Sequence, residues 1–208
     1  MAHDIVSTEP DQQIEYFTPE FDVTKRYQET YAKYRGESDD HDDVSAAAPI
    51  CYRVKTGFTL KTHHPKAGPC YDLFRHLQTW IFPDKPISDC LVFWVPCILQ
   101  GSTEKNVDKQ IRLLANTRNR LGLPSHHLRS FGEISIVAGL MSAHLKHTGE
   151  RVPLNDQWVR TDTHGAGGRR LYLGGFDTLG LYCNDFRFDE IVYGNVGVFA
   201  IGVEALGT

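Results

Sequence analysis

The chain has 208 residues, of which 41% are hydrophobic and 23% are charged, proportions that are typical of a globular protein with its own core. No apolar run approaches the roughly 20 residues that a membrane span needs, and the first residues lack the basic and apolar regions of a signal peptide. The sequence therefore predicts a cytoplasmic protein without a membrane span.

Charge is distributed unevenly along the chain. Residues 1–50 contain 12 Asp and Glu against 4 Lys and Arg, whereas residues 51–208 contain 14 against 18. The acidic run at 37–43 is typical of a solvated linker, although the same arm also fits an adaptor that docks on a partner. We predict three regions. They are an acidic, partly disordered arm over 1–50, a small helical segment over 51–85 and the main domain over 86–208.

Apolar patterning predicts the first elements in chain order. Residues 52–56 alternate and predict a short strand, and Pro69 opens a predicted helix that ends near Trp80. The run at 91–95 consists of β-forming residues between Asp89 and Pro96, so it predicts a buried strand.

Two further helices are predicted between the buried strand and Gly149. The first covers residues 102–121, with Ser102 as its N-cap. Its predicted apolar face comprises Val107, Ile111, Leu114 and Leu121. Before the second helix, Ser130 and Glu133 have the spacing of a capping box, and Gly149 stands where a helix ends in a left-handed residue.

Beyond Gly149, short apolar stretches alternate with glycines, which is typical of antiparallel strands. The predicted strands lie at 158–161, 170–173, 180–183 and 197–203, with a hairpin turn at 165–168 between the first two. One strand, two helices and several strands predict an α+β domain in which the last strand can pair with the first.

Ten histidines raise the hypothesis of a metal-dependent enzyme. His144 and His147 share one face of a predicted helix, but no H-E-x-x-H or C-x-x-C spacing supplies three or four converging ligands. We interpret these histidines as exposed residues near a helix end. We predict no cofactor, no metal and no catalytic residue, and keep an enzyme that uses the clustered histidines as an alternative.

A second alternative is nucleic-acid binding by the basic helix over 102–121. Two consecutive helices invite comparison with a helix-turn-helix motif, although the loop at 122–129 is longer than the turn of that motif. The basic residues of this helix are Lys105, Lys109, Arg112, Arg118 and Arg120.

The C-terminal third is the best candidate for a binding surface. Tyr, Asn, Asp and Arg mix with glycine there, a composition that is typical of surfaces that recognise proteins. A hairpin whose aromatic residues fill the core is the competing interpretation. The candidate ligand-binding residues are Asp177, Thr178, Tyr182, Asn184, Asp185, Phe186, Arg187, Phe188 and Tyr193.

Three stretches resemble the formylglycine-generating-enzyme type of C-type lectin-like domain. Residues 151–158 are similar to its R-L-P-x-x-x-x-W motif, 170–176 to its R-x-x-R-G-G-[ST]-W strand, and 195–199 to its N-x-G-F-R strand. The resemblance covers residues 86–208 and implies a C-type lectin-like fold. Cys183 alone does not supply the copper-binding cysteines of the enzymatic members, and the calcium-binding triplets of lectins are absent.

In variable proteins of diversity-generating retroelements, the same part of this domain holds randomised ligand-binding residues. Their mutated asparagine codons never yield Lys, Glu, Gln, Met or Trp, and none of these types occurs between Val159 and Asp189. The resemblance therefore implies a non-catalytic protein that binds an unknown protein ligand through a diversified C-terminal surface. A homo-oligomer is compatible with this role.

Overall fold

A computed structural model of the chain describes residues 14–16, 50–59, 86–165, 168–178, 180–186 and 189–206. The predicted helix after Pro69 and the acidic run at 37–43 lie outside these residues. The described part is mixed α+β, as predicted, with two helices and two four-stranded sheets. Its elements are β1 (Ile14–Tyr16), β2 (Ile50–Val54), β3 (Cys90–Ile98), α1 (Val107–Leu121), α2 (Ile134–Thr148), β4 (Trp158–His164), β5 (Arg170–Asp177), β6 (Gly180–Phe186), β7 (Val196–Gly197) and β8 (Phe199–Ala205).

Sheet 1 has the strand order β1-β2-β3-β8, and every neighbouring pair is antiparallel. The pairing of β3 with β8 places Cys90 opposite Ala205, which confirms that the last strand pairs with the first strand of the main domain. Strands β1 and β2 belong to the same sheet as β3 although they precede residue 86. The three-region division of the chain stays a prediction.

Sheet 2 has the order β6-β5-β4-β7, in which β7 runs parallel to β4 and the other pairs are antiparallel. The predicted hairpin between β4 and β5 is confirmed, because the N–H of Gly168 donates to the carbonyl of Gly165 at 3.2 Å. The strand predicted at 197–203 is confirmed over 199–203 as part of β8, but Gly197 belongs to the separate strand β7. The chain crosses there from sheet 2 to sheet 1, and the N–H of Val198 donates to the hydroxyl of Ser102.

Sheet 1 is covered on both faces, which explains the continuous apolar run of β3. Val92 and Trp94 point into a core shared with α2 and sheet 2. Leu91 and Phe93, at the alternate positions, point into a second core closed by α1.

Helix α1 begins later than predicted. Its N-cap is Asn106, whose Oδ1 accepts the N–H of Lys109 at 3.0 Å, so the predicted cap at Ser102 is wrong. Both residue types cap helices well, and tertiary structure decides between them, because the Ser102 hydroxyl is used by Val198 across the core. Gly122 ends the helix in a left-handed conformation with φ of 61°.

The predicted apolar face of α1 is confirmed at Val107, Leu114 and Leu121, which are buried, but not at Ile111. Ile111 is 45% exposed, whereas the neighbouring Gln110 is fully buried. The Gln110 amide donates to the carbonyls of Ser102 and Val196, at 2.7 and 3.0 Å, and so holds the loop before α1 against β7. The buried face of the helix therefore includes a polar side chain that the apolar pattern did not indicate.

Helix α2 begins after Glu133, whose own side chain makes no capping hydrogen bond. The capping box predicted from Ser130 is therefore wrong. The Thr163 hydroxyl of β4 instead accepts the N–H of Ile134 at 2.9 Å and donates to the Glu133 carboxylate at 2.6 Å. Gly149 ends the helix with φ of 76°, as predicted.

Candidate functional site

Strand β6 divides the predicted contact residues by its alternation. Leu181 and Cys183 are buried in the core, whereas Tyr182 and Asn184 are half-buried on the opposite side, which we call the outer face of sheet 2. Tyr182 pairs with Gly174 of β5. Because glycine has no side chain, no side chain of β5 separates Tyr182 from β4 at this position. The structure thus brings Tyr182 and Asn184 together on one face.

Trp158 of β4 belongs to the same face and was not among the predicted residues. Its ring meets the ring of Tyr182 edge-on, with centroids 5.4 Å apart. Gly174 lies between them, and a Cβ there would come within 2.7 Å of the Trp158 ring. The contact between Trp158 and Tyr182 could not be predicted from the sequence, because it depends on the strand register that places Gly174 between them.

Asp177 and Thr178 lie at the hairpin between β5 and β6, and both are exposed. The pairing of the strands shifts register between Gly174 and Asp177, and Gly175 there has φ of 56°, in the left-handed region. The hairpin stands at the Tyr182 end of β6. These two predicted residues therefore border the outer face rather than lie within it.

Asp185 lies at the other end of β6 and is paired with Arg169, whose Nη1 donates to its Oδ2 at 3.1 Å. Its partner in the strand register is Leu171, which is fully buried in the core. Directly paired residues point to the same side of a sheet. The structure therefore does not place Asp185 on the face of Tyr182 and Asn184.

The remaining predicted residues lie at or beyond the end of β6. Phe186 is the last residue of that strand, and Arg187 and Phe188 lie outside the described residues. Tyr193 is half-buried and forms an isolated β-bridge with Lys105, just before α1.

Ile191 and Val192, next to Tyr193, form an exposed apolar pair that was not predicted from the sequence. Their exposed fractions are 42% and 49%, and the other large hydrophobic side chain of this kind in the described residues is Ile111. Two adjacent β-branched residues between Glu190 and Tyr193 were the available signal. Exposed apolar groups of this kind often mark contact surfaces.

Asp189 precedes this pair and is bound by arginines of sheet 2. Its Oδ1 and Oδ2 accept from Nε and Nη2 of Arg170 at 3.0 and 2.9 Å. Burial raises the pKa of the Asp189 carboxyl, but the hydrogen bonds and charge of Arg170 outweigh this and hold the pKa below its usual value. The carboxylate is therefore ionised at neutral pH.

His126 and His127 have neighbouring rings, with centroids 4.6 Å apart, but they differ in burial and in their other contacts. His127 is buried with its ring stacked on Phe93 at 5.6 Å, and His126 pairs with Glu204 at 3.7 Å. His63 and His64 lie outside the described residues, within which no group of three or more His, Cys, Asp and Glu side chains is placed to hold a metal ion.

His144 is buried rather than exposed, so the interpretation as a surface histidine is wrong for this residue. Its ring contacts Trp94 edge-on, with centroids 5.7 Å apart. Desolvation lowers its pKa below the ordinary value of 6.5, an effect that Glu150 opposes and His147 reinforces.

Acidification is expected to destabilise the fold through His144. The unfolded chain takes up a proton near pH 6.5, whereas the folded chain resists it, so the free energy of unfolding falls as pH drops below that value. The His144→Leu variant should lose less stability than the wild type between pH 7 and pH 5 in urea unfolding. Equal slopes for the wild type and His144→Leu would contradict the role of His144.

The basic helix exposes part of its charge. Lys109, Arg112 and Arg120 are exposed, and Arg118 is half-buried. The segment predicted as 102–121 is helical only from Val107. Nucleic-acid binding by this helix stays a prediction.

Neither of the two described helices combines the length and the apolar content that crossing a bilayer requires. No family model, no curated protein and no solved structure matches this chain. The α+β class is thus the level at which the fold is established.

Proposed function

We propose that this chain is a non-catalytic binding protein with a C-type lectin-like fold, which contacts a protein ligand through the outer face of sheet 2 and the adjoining hairpin. The alternation of β6 supports this most strongly. Leu181 and Cys183 hold the strand in the core, while Tyr182 and Asn184 stand outside it. Contact residues placed in this way can change without altering the core.

The composition and rigidity of the surface favour binding. Trp158 and Tyr182 provide aromatic area, Asn184 an amide and Asp177 a carboxylate, a combination that is typical of protein-binding surfaces. Strand β6 is paired with β5 from Phe186 to Tyr182. Its backbone is therefore already ordered, which reduces the entropy lost on binding.

The finer form of the proposal is that the chain is a variable protein of a diversity-generating retroelement. The test is to sequence the DNA that flanks the gene. We expect a reverse-transcriptase gene and a near-copy of the codons for residues 170–205 that differs only at adenines. If both were missing, diversification would be rejected. Whether residues of the outer face can be replaced without loss of stability is tested separately, by substitutions at Thr178, Tyr182 and Asn184.

Substitutions on the outer face are expected to leave the fold intact. The triple variant Thr178→Ala, Tyr182→Ser, Asn184→Ala should lower the free energy of unfolding by no more than about 1.5 kcal/mol, because these side chains lie outside the core. Urea unfolding followed by circular dichroism measures the change.

The matched control lies on the same strand. Leu181→Ala removes a fully buried side chain between the substituted positions and should cost about 2–5 kcal/mol. A triple variant as unstable as Leu181→Ala would place Tyr182 and Asn184 in the structural core and reject them as replaceable contact residues.

A further inference from the structure

Arg170 is positioned by two strands before it meets Asp189. Its Nη1 donates to the carbonyl of Thr161 in β4 at 2.9 Å, and its side chain is only 10% exposed. Its Nε and Nη2 then bind the Asp189 carboxylate in a two-bond fork. Because β4 fixes the guanidinium, the fork fixes the position of Asp189.

A second guanidinium faces the same carboxylate from inside the protein. Arg160 is fully buried, its Nη1 donates to the Tyr172 hydroxyl at 2.8 Å, and it lies 3.8 Å from Oδ1 of Asp189. Its Nε and Nη2 are buried without a hydrogen-bond acceptor among the described residues. Burial of such a charge is costly without a nearby counter-charge, which Asp189 supplies.

Both guanidiniums also pack on one aromatic ring. The Cζ atoms of Arg170 and Arg160 lie 5.4 and 6.0 Å from the centroid of Phe131. Phe131 is itself buried in the core beneath α1. Packing on Phe131 and the hydrogen bonds to Thr161 and Tyr172 therefore help to hold the arginine pair in place beside Asp189.

The backbone of Asp189 is bound as well. Its carbonyl accepts the N–H of Val107, the first residue of α1, at 3.1 Å. A few residues later, the N–H of Val196 donates to the carbonyl of Tyr193 as the chain enters β7. The exposed pair Ile191 and Val192 lies between these two attachments.

We propose that Asp189 is the positioning residue of the apolar part of the recognition surface, because its carboxylate, held by Arg170 and Arg160, fixes the stretch from Ile191 to Tyr193 beside the outer face of sheet 2. The role of this stretch in recognition rests on the proposed function, whereas its attachment through Asp189 does not depend on any ligand. Arg170 and Arg160 form a built-in carboxylate site that Asp189 occupies.

The first test removes the carboxylate. Asp189→Ala should accelerate amide hydrogen exchange at Val107 and Val196 by about tenfold or more, because their acceptors belong to the stretch that loses its attachment. Glu190→Ala is the matched control, since it removes an exposed carboxylate from the next residue. Equal exchange in the two variants would overturn the proposal.

The second test refills the site with formate. A purely structural loss at position 189 is not reversed by a small anion, whereas an open arginine site binds one. Formate should therefore raise the Tm of Asp189→Ala more than sodium chloride of equal ionic strength does, with no such difference in the wild type or in Glu190→Ala. No selective effect of formate on Asp189→Ala would reject the carboxylate site.

Two features keep these tests decisive. If Asp189→Ala does not fold, Asp189→Asn retains the side-chain shape while removing the charge, and the exchange comparison is made on that variant. Neither experiment uses the proposed protein ligand, so a failed search for a retroelement leaves the attachment of Asp189 in place, and a failed formate test leaves the binding function in place.

Discussion

Replacing Trp94 by alanine is expected to lower the free energy of unfolding by about 3–5 kcal/mol. Trp94 is fully buried in β3 and joins elements that are distant in the chain. Its ring lies 5.4 Å from the ring of Phe199 in β8 and 6.5 Å from that of Tyr52 in β2. The change therefore leaves a cavity where sheet 1 meets α2.

This loss is a large fraction of the total stability of a typical domain, which is about 5–15 kcal/mol. Urea unfolding followed by circular dichroism is the measurement, since removal of a tryptophan alters the fluorescence signal itself. Trp158→Ala makes the same chemical change at a half-exposed position and should cost clearly less. Equal losses for the two variants would mean that Trp94 is not the centre of the core.

The Gly202→Ala variant is expected to lose about 1–3 kcal/mol by overpacking. A Cβ at Gly202 would lie 2.6 Å from Nδ1 of His127 and 2.7 Å from two carbons of the same ring. That ring is buried and stacked on Phe93, so a shift that relieves the clash would disturb this contact.

Two comparisons isolate this cause. At Gly194, a Cβ would meet no atom within 4 Å among the described residues, so Gly194→Ala should be nearly neutral. In a His127→Ala background, Gly202→Ala should lose most of its effect, because the clash has been removed. If the cost of Gly202→Ala were unchanged in that background, the contact with His127 would not be its origin.

Local chemistry accounts for the elements that the sequence predicted well. The apolar run of β3 favours a strand, and the glycines after α1 and α2 favour a helix end. Each of these preferences depends only on residues that are neighbours in the sequence. The caps of the two helices were missed because long-range bonds decide them. The hydroxyl of Ser102 accepts the N–H of Val198, and the hydroxyl of Thr163 in β4 accepts the N–H of Ile134.

The candidate surface could be predicted only in part for the same reason. Alternation indicates that Tyr182 and Asn184 share a face, but not whether that face is open. Tyr172 pairs with Asn184 in the register, yet it is fully buried, and burial raises its pKa to about 12. The arginine pair and Asp189 lie at that end of the face, an arrangement that no local pattern indicates.

The register of sheet 1 also has a consequence for folding kinetics. Closing β3 on β8 joins Cys90 to Ala205, and all of sheet 2 lies in the chain between these strands. Pairing of such distant segments is slow, because a long loop must close before the contact stabilises it. The strands expected to limit the folding rate are thus separate from the strand that carries Tyr182 and Asn184, and changes in those contacts need not slow the search for the native state.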